Sequence, residues 1–216
     1  MTAPESNPGP GRPAAVRPGL LWSNADMPPL TAPVVPAGSL SRAAQPTLQA
    51  GDLVLRPWAD GDAGALLAAF ADAEIQRWHA RTVESEPEAR ALIARYRQAW
   101  RSETGAHWAI TGPGVLGRVA LRAVDLGEGR AEVAYWVAPA ARGRGAAPRA
   151  AIALSAWALG ELGLHRLDLE HSVVNAASCR VAQKAGFAAE GIRRSAVLHA
   201  DGWHDMHLHA RIQGDA

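Results

Sequence analysis

The sequence predicts an α+β domain of about seven strands and about four helices. Three observations carry that expectation. Between residues 107 and 137, three short apolar runs are joined by Gly-Pro-Gly and Gly-Glu-Gly turns, the pattern of an antiparallel meander. Segments with apolar residues at helical spacing lie on both sides of this meander. The chain closes on two strand-like stretches joined by Asp201-Gly202, the pattern of a hairpin.

Residues 1 to about 47 hold ten of the fifteen prolines, few charges and no apolar periodicity. Such a segment buries too little surface to offset the entropy of ordering it, so it is expected to be a disordered or loosely docked arm. Its one apolar spot is "LLWS", with Leu20, Leu21 and Trp22. The domain is expected from 48 to 216. "LVLRPW" (53–58) reads as a strand. "ADGDAGALLAAFADAEIQRW" reads as one helix capped by Asp60 or Asp62, with Leu66, Leu67, Phe70 and Ala73 at helical spacing. A second helix begins near Ser85, which is followed by Glu86 and Glu88 and by apolar Leu92, Ile93, Tyr96 and Trp100. The meander strands are 107–111, 115–126 and 130–137. "AIALSAWALGELG" then places Ile152, Ala156, Leu159 and Leu162 on one helical face. "HRLDLEHSV" (165–173) alternates as a strand, and "NAASCRVAQKAG" reads as a short helix from an Asn175 cap to a Gly186 stop. The order is β-α-α-β-β-β-α-β-α-β-β, without an internal repeat.

With 216 residues, the chain has room for one domain and an appendage. Its 22 Lys and Arg against 21 Asp and Glu leave a net charge of +1, so no global field draws it to nucleic acid or to an anionic membrane. The lone cysteine, Cys179, excludes an internal disulfide and a Cys-rich metal site. No apolar run reaches the ~20 residues of a membrane span, and the first residues lack the layout of a signal peptide. A cytoplasmic protein is expected, with no membrane or nucleic-acid partner, as a monomer or homodimer.

The stretch "ARGRGAAPRA" (141–150) follows a strand and precedes a helix. There, Gly143 and Gly145 permit a tight turn, and the helix start adds unpaired N–H donors and the positive end of its dipole. Pro148 has no N–H, so donation to an anion would come from residues 143–147. Arg142 and Arg144 would reach outer phosphates. The lysine and Ser/Thr of a Walker loop are missing, and the preceding strand belongs to a meander, so ATP and NAD fit poorly. A solvated Gly-Arg turn is the competing reading of the loop alone.

Taken together, "AEVAYWVAP", "RGRGAA", the helix after it and "NAASCRVAQKAGF" resemble the GNAT superfamily of N-acetyltransferases, in particular its RimJ/RimL branch of ribosomal-protein alanine N-acetyltransferases. The family loop begins with glutamine or arginine, carries glycine three residues later and glycine or alanine two further on; Arg142, Gly145 and Ala147 match it. Asn175, Ser178 and Gly186-Phe187 match the branch's later motif. The likeness spans about residues 52 to 212. It implies a GNAT fold: a mixed, mostly antiparallel sheet in which strands 130–137 and 165–171 run parallel and splay apart. Acetyl-CoA would enter that gap, its pantetheine along Val137 and Ala138 and its pyrophosphate on Arg142, Gly143, Arg144, Gly145, Ala146 and Ala147.

Thioester-to-amine transfer requires a neutral amine, a donor for the oxyanion and a proton for the departing thiolate. Glu132, in an otherwise apolar strand, matches a carboxylate that serves as base in several members; a structural carboxylate paired with Arg118 or Arg122 is the other reading. Ser178 matches the serine that meets the coenzyme sulfur, and Asn175 the residue that contacts pantetheine; helix capping is the structural alternative for both. Val137 or Ala138 N–H would meet the oxyanion. The tyrosine acid of some branches has no evident counterpart. Cys179 reads as an inert helix cysteine. His204, His207 and His209 suggest a metal, but no Cys or spaced carboxylate is seen to complete the shell, so no metal is expected. Trp78 is a candidate lining of the acceptor cleft, and Asp205 matches an acidic position of the last hairpin. The acceptor is a primary amine: a protein N-terminus, or a small molecule such as an antibiotic or polyamine. A silent acyl-CoA sensor is the non-enzymatic alternative.

Overall fold

The computed structural model describes residues 30–79 and 81–215. Among these, the strands are β1 (Leu48–Ala50), β2 (Leu53–Pro57), β3 (Ala106–Thr111), β4 (Val115–Asp125), β5 (Arg130–Val137), β6 (Arg166–Ser172), β7 (Ala188–His199) and β8 (Gly202–Ile212). The helices are α1 (Ala63–Phe70), α2 (Ala73–His79), α3 (Glu86–Arg101), α4 (Ala146–Gly160) and α5 (Ala176–Lys184). The strands form one sheet in the order β1-β2-β3-β4-β5-β6-β8-β7. Every neighbouring pair is antiparallel except β5 and β6.

That exception positions the site. The parallel ladder runs only from Arg130–Glu132 against Arg166–Asp168, although β5 continues to Val137 and β6 to Ser172. Beyond Glu132 the sheet therefore forks. Side chains alternate across β5: Ala131 and Val133 join a core with Leu154 and Ala158 of α4, whereas Trp136 joins one with Leu66, Phe70 and Ile93 of α1 and α3.

Four expectations change. Residues 33–47, assigned to the arm on composition, belong to the compact unit that begins at Pro33. Val35 and Leu40 are buried in the core, Trp100 donates to the Ala43 carbonyl at 2.9 Å, and the Glu103 carboxylate accepts N–H bonds from Gly38, Leu40 and Ser41. Composition averages over these few anchoring contacts. The "LLWS" spot lies outside the described residues. The first long helix is two, because the Asp72 carboxylate accepts the Ile75 N–H at 2.9 Å and starts α2 afresh. Asp62 stands at the N-cap of α1 without capping it; its carboxylate instead holds Arg56 and the Ala59 N–H. In α4, Ile152 and Ala156 of the expected face are exposed, whereas Leu159 is buried and Leu162 packs against the core; the buried set also takes in Ala147, Ala150, Ala151, Leu154, Trp157 and Ala158. Apolar residues surround that helix, so their spacing does not single out the side that packs. β1 is an additional short strand at the sheet edge.

Candidate active site

Two cavities, each about 410 Å³, open on the fork. The first is lined by Tyr135, Trp136 and Val137 of β5, by the loop and first turn from Ala141 to Pro148 except Arg144, and by α5 residues including Asn175, Ser178, Arg180 and Lys184. The second is lined by Arg122, Glu132, Glu170, His171, Ser172, His199 and Met206, among others. Trp78, His79, Tyr135, Asn175 and Ser178 line both.

The loop is shaped by two glycines in the left-handed region, Gly143 at φ 74° and Gly145 at φ 71°, conformations that cost a side-chain-bearing residue. Open space surrounds both α-carbons on the side where a Cβ would stand. Within α4 the first paired donor is Arg149, to the Gly145 carbonyl at 3.3 Å. A helix start leaves the donors before it without intrahelical partners. This backbone concavity fits a phosphate-bearing group.

The arginines differ from expectation. The Arg142 guanidinium bonds Asp72 at 2.5 Å and Glu74 at 2.8 Å, tying the loop to the α1–α2 corner. In turn, Arg142 holds the Asp72 carboxyl below its ordinary range. Arg149 is held by Asp52 and by the Gly145 carbonyl. Arg144 is exposed and is not part of the cavity lining. Arg180 and Lys184 of α5 line the cavity instead; sequence reading missed them because the motif residues beside them are apolar or polar.

Val137 and Ala138 separate. Ala138 N–H donates to the Leu116 carbonyl at 2.8 Å and is therefore occupied. In a strand, successive N–H groups point to opposite sides, so Val137 N–H points away from β4 into the fork. Of the two N–H groups expected at the oxyanion, only that of Val137 faces the fork.

Glu132 sits at the last rung of the parallel ladder, opposite Arg122 on β4, and the two side chains form an ion pair. It has the structural partner proposed from sequence and also lines the second cavity. Asn175 caps α5, its Oδ1 accepting the Ser178 N–H at 3.0 Å. Tyr135, which the sequence reading passed over, donates its hydroxyl to the Ser178 carbonyl at 3.4 Å. Burial pushes that hydroxyl up to about 12, so it keeps its proton at neutral pH. Burial likewise lowers His79 to about 3, leaving a neutral imidazole at the junction of the cavities.

Trp78 packs edge-on against His199 and His204. Ser172 Oγ lies 2.7 Å from His204 Nδ1, and His204 Nε2 lies 2.9 Å from Asp201, a polar chain running from the second cavity to the β7–β8 turn. Asp205 accepts the Ser195 N–H at 2.8 Å across the β7 bulge, where Ser195 has φ 45°. The metal reading also changes: His204 stands apart, but His207 and His209 come together with His171 and Cys179. Pairing of β6 with β8 sets His171 opposite His207, a contact between residues 36 positions apart that local spacing does not reveal.

The arrangement is a backbone anion cradle beside a split parallel pair. Residues 52–188 match the acetyltransferase (GNAT) domain model, and the chain belongs to the GNAT family of acetyltransferases. It is 26% identical over 172 residues to the uncharacterized N-acetyltransferase YoaA of Bacillus subtilis, covering 78% of this chain and 97% of that one. Mycobacterium smegmatis RimJ, solved with a CoA disulfide, superposes with a TM-score of 0.70 at 23% identity, over 77% of this chain and 86% of that one. The microcin C7 self-immunity acetyltransferase MccE, solved with acetyl-CoA and AMP, does so at 0.69 and 20% identity, over 76% and 94%. A RimL ribosomal L7/L12 acetyltransferase solved with coenzyme A gives 0.73 at 21%, over 79% and 100%. The activity is acetyl-CoA-dependent N-acetyl transfer.

Proposed function

We propose that the chain acetylates the α-amino group of a protein N-terminus, entering through the second cavity. The carrying observation is the junction: a cradle for the coenzyme on one side and Glu132 on the other meet at Tyr135, Asn175 and Ser178. Acetyl-CoA supplies the activated acetyl group. In this reading, Val137 N–H meets the developing negative charge, and Glu132, oriented by Arg122, takes the amine proton through water. Ser178 hands a proton to the sulfur, while Tyr135 steadies the Ser178 carbonyl from behind. Gly143 through Ala147 hold the pyrophosphate.

A terminal amine as acceptor is supported by the likeness to RimL, a ribosomal L7/L12 α-N-protein acetyltransferase, and by Glu132 on the cavity wall as the group to take its proton. The MccE likeness keeps a small amine as the second reading. Free-thiol release from acetyl-CoA decides between them when peptides with free and blocked N-termini are run beside aminoglycosides and polyamines. Turnover confined to free-N-terminal peptides is expected. Preference for a small amine at equal concentration would transfer the reading to the second class.

A further inference from the structure

On the α5 side of β6 and β8, one face gathers His171, His207, His209 and Cys179, with one donor atom from each lying within 4.8 Å of all the others. These are the soft and borderline donors of the chain. Its only cysteine stands beside three of its eight histidines, and no carboxylate belongs to the cluster. Three further observations give the cluster direction.

First, His171 Nδ1 lies 2.8 Å from the Ser172 carbonyl, to which only a protonated nitrogen can bond. That contact leaves Nε2 as a lone pair facing the cluster, the tautomer and backing that metal-ligating histidines commonly have. Second, His209 Nε2 stands 3.1 Å from His171 Nε2. Two nitrogens on one tetrahedral zinc at ~2.0 Å are separated by roughly 3.3 Å, so this spacing already matches one edge of a coordination polyhedron. Third, His209 is 3% exposed, and its Nδ1 has no hydrogen-bond partner. A metal-free histidine pair sharing one N–H···N bond leaves His209 Nδ1 as a buried lone pair, which is costly. Ligation through Nε2 instead removes that bare lone pair by placing the proton on Nδ1.

We propose that His171, His207, His209 and Cys179 bind one zinc-class divalent cation in a closed, four-coordinate site of three imidazole nitrogens and one thiolate sulfur. The donor set suits zinc or cobalt and excludes magnesium and calcium, which need oxygen ligands. Closure requires rotation of side chains only, since the donors already lie within 4.8 Å. Cys179 and His207, both half-buried, provide the entry. With four protein ligands and no open position, the ion is structural. It clamps β6, β8 and the first turn of α5, and so fixes Ser178, the residue before Cys179. Cys179, His207 and His209 are absent from the lining of both cavities, and His171 alone reaches the wall of the second, so the clamp stands at the back of that cavity.

The test uses the full chain, freed of any affinity tag and stripped with a chelator. Cobalt(II) titration is expected to saturate at one equivalent, with the intense visible bands of a tetrahedral ion and a near-ultraviolet thiolate charge-transfer band. Zinc(II) should bleach both and raise the melting temperature. Cys179→Ser should remove the charge-transfer band, and His207→Gln, at a half-buried position where folding is retained, should weaken zinc binding by more than the roughly 10- to 100-fold expected from losing an outer partner. No bound cobalt after gel filtration would overturn the site, as would bands that survive in both variants.

Discussion

The two cavities at the β5–β6 fork have the same volume, about 410 Å³, but different construction. The coenzyme-side cavity draws its character from backbone: two left-handed glycines, an open helix start and a free strand edge at Val137. Its neighbour is walled by side chains from distant elements, with Glu132 and Arg122 from the meander, Glu170 and Ser172 from β6 and His199 from the hairpin. Backbone recognition serves any acyl-CoA-type ligand, whereas a wall of side chains can vary with the acceptor. That division teaches which substitutions should separate coenzyme binding from turnover.

The largest effects are expected at the junction. Glu132→Gln should lower kcat by roughly 100-fold or more, the range of a lost general base, with coenzyme affinity unchanged in calorimetry. Ser178→Ala should cost a similar factor and Tyr135→Phe about tenfold, if the serine meets the sulfur and the tyrosine only supports it. A larger loss in Tyr135→Phe would move the acid to the tyrosine. On the coenzyme side, Gly145→Val forces a β-branched residue into φ 71°, a strain of about 1–2 kcal/mol. It should weaken coenzyme binding about tenfold while leaving the acceptor KM in place; equal losses on both sides would erase the distinction between the cavities.

A smaller effect reads the junction through pH. His79 is lowered to about 3 by burial, against an ordinary value of 6.5. As pH falls through 6.5 the unfolded chain takes up a proton that the folded chain refuses. Stability from this group is therefore complete above pH 6.5 and falls by up to about 1.4 kcal/mol per pH unit below it. Urea unfolding at pH 7, 6 and 5 should show a shallower loss in His79→Gln. An unchanged slope would mean that the imidazole is charged in the folded protein.

Legibility in the sequence follows the same division. The cradle is written in consecutive residues, 142 to 147, and the α5 cap in the four from Asn175 to Ser178, so local chemistry exposes both. The Tyr135–Ser178 contact depends on how α5 packs on β5, and the Ser172–His204 contact and the His171, His207 and His209 grouping on the pairing of β6 with β8, neither of which local patterns specify. Strong local signals also misled where two forces competed. Apolar continuity from Leu66 to Ile75 masked the Asp72 cap, and proline content masked the burial of Val35 and Leu40.

Arg142 is where the two cavities' logics collide, and it carries the smallest expected effect. The loop pattern assigns its guanidinium to a phosphate, yet the folded chain commits it to Asp72 and Glu74. Both groups are partly exposed, so the tether is worth about 1 kcal/mol. Arg142→Gln should destabilise by about that amount and Asp72→Asn by less, because Glu74 still holds the guanidinium, and the double variant should resemble Arg142→Gln. Since Arg142 holds Asp72 below its ordinary range, the coupling should persist above pH 4 and fade as the solution is acidified through the carboxyl's folded value. If the arginine acts as a tether, both variants should weaken coenzyme binding by moving the loop, Asp72→Asn the less because the Glu74 pair remains. A loss confined to Arg142→Gln and steepest at low salt would instead return the guanidinium to the phosphate.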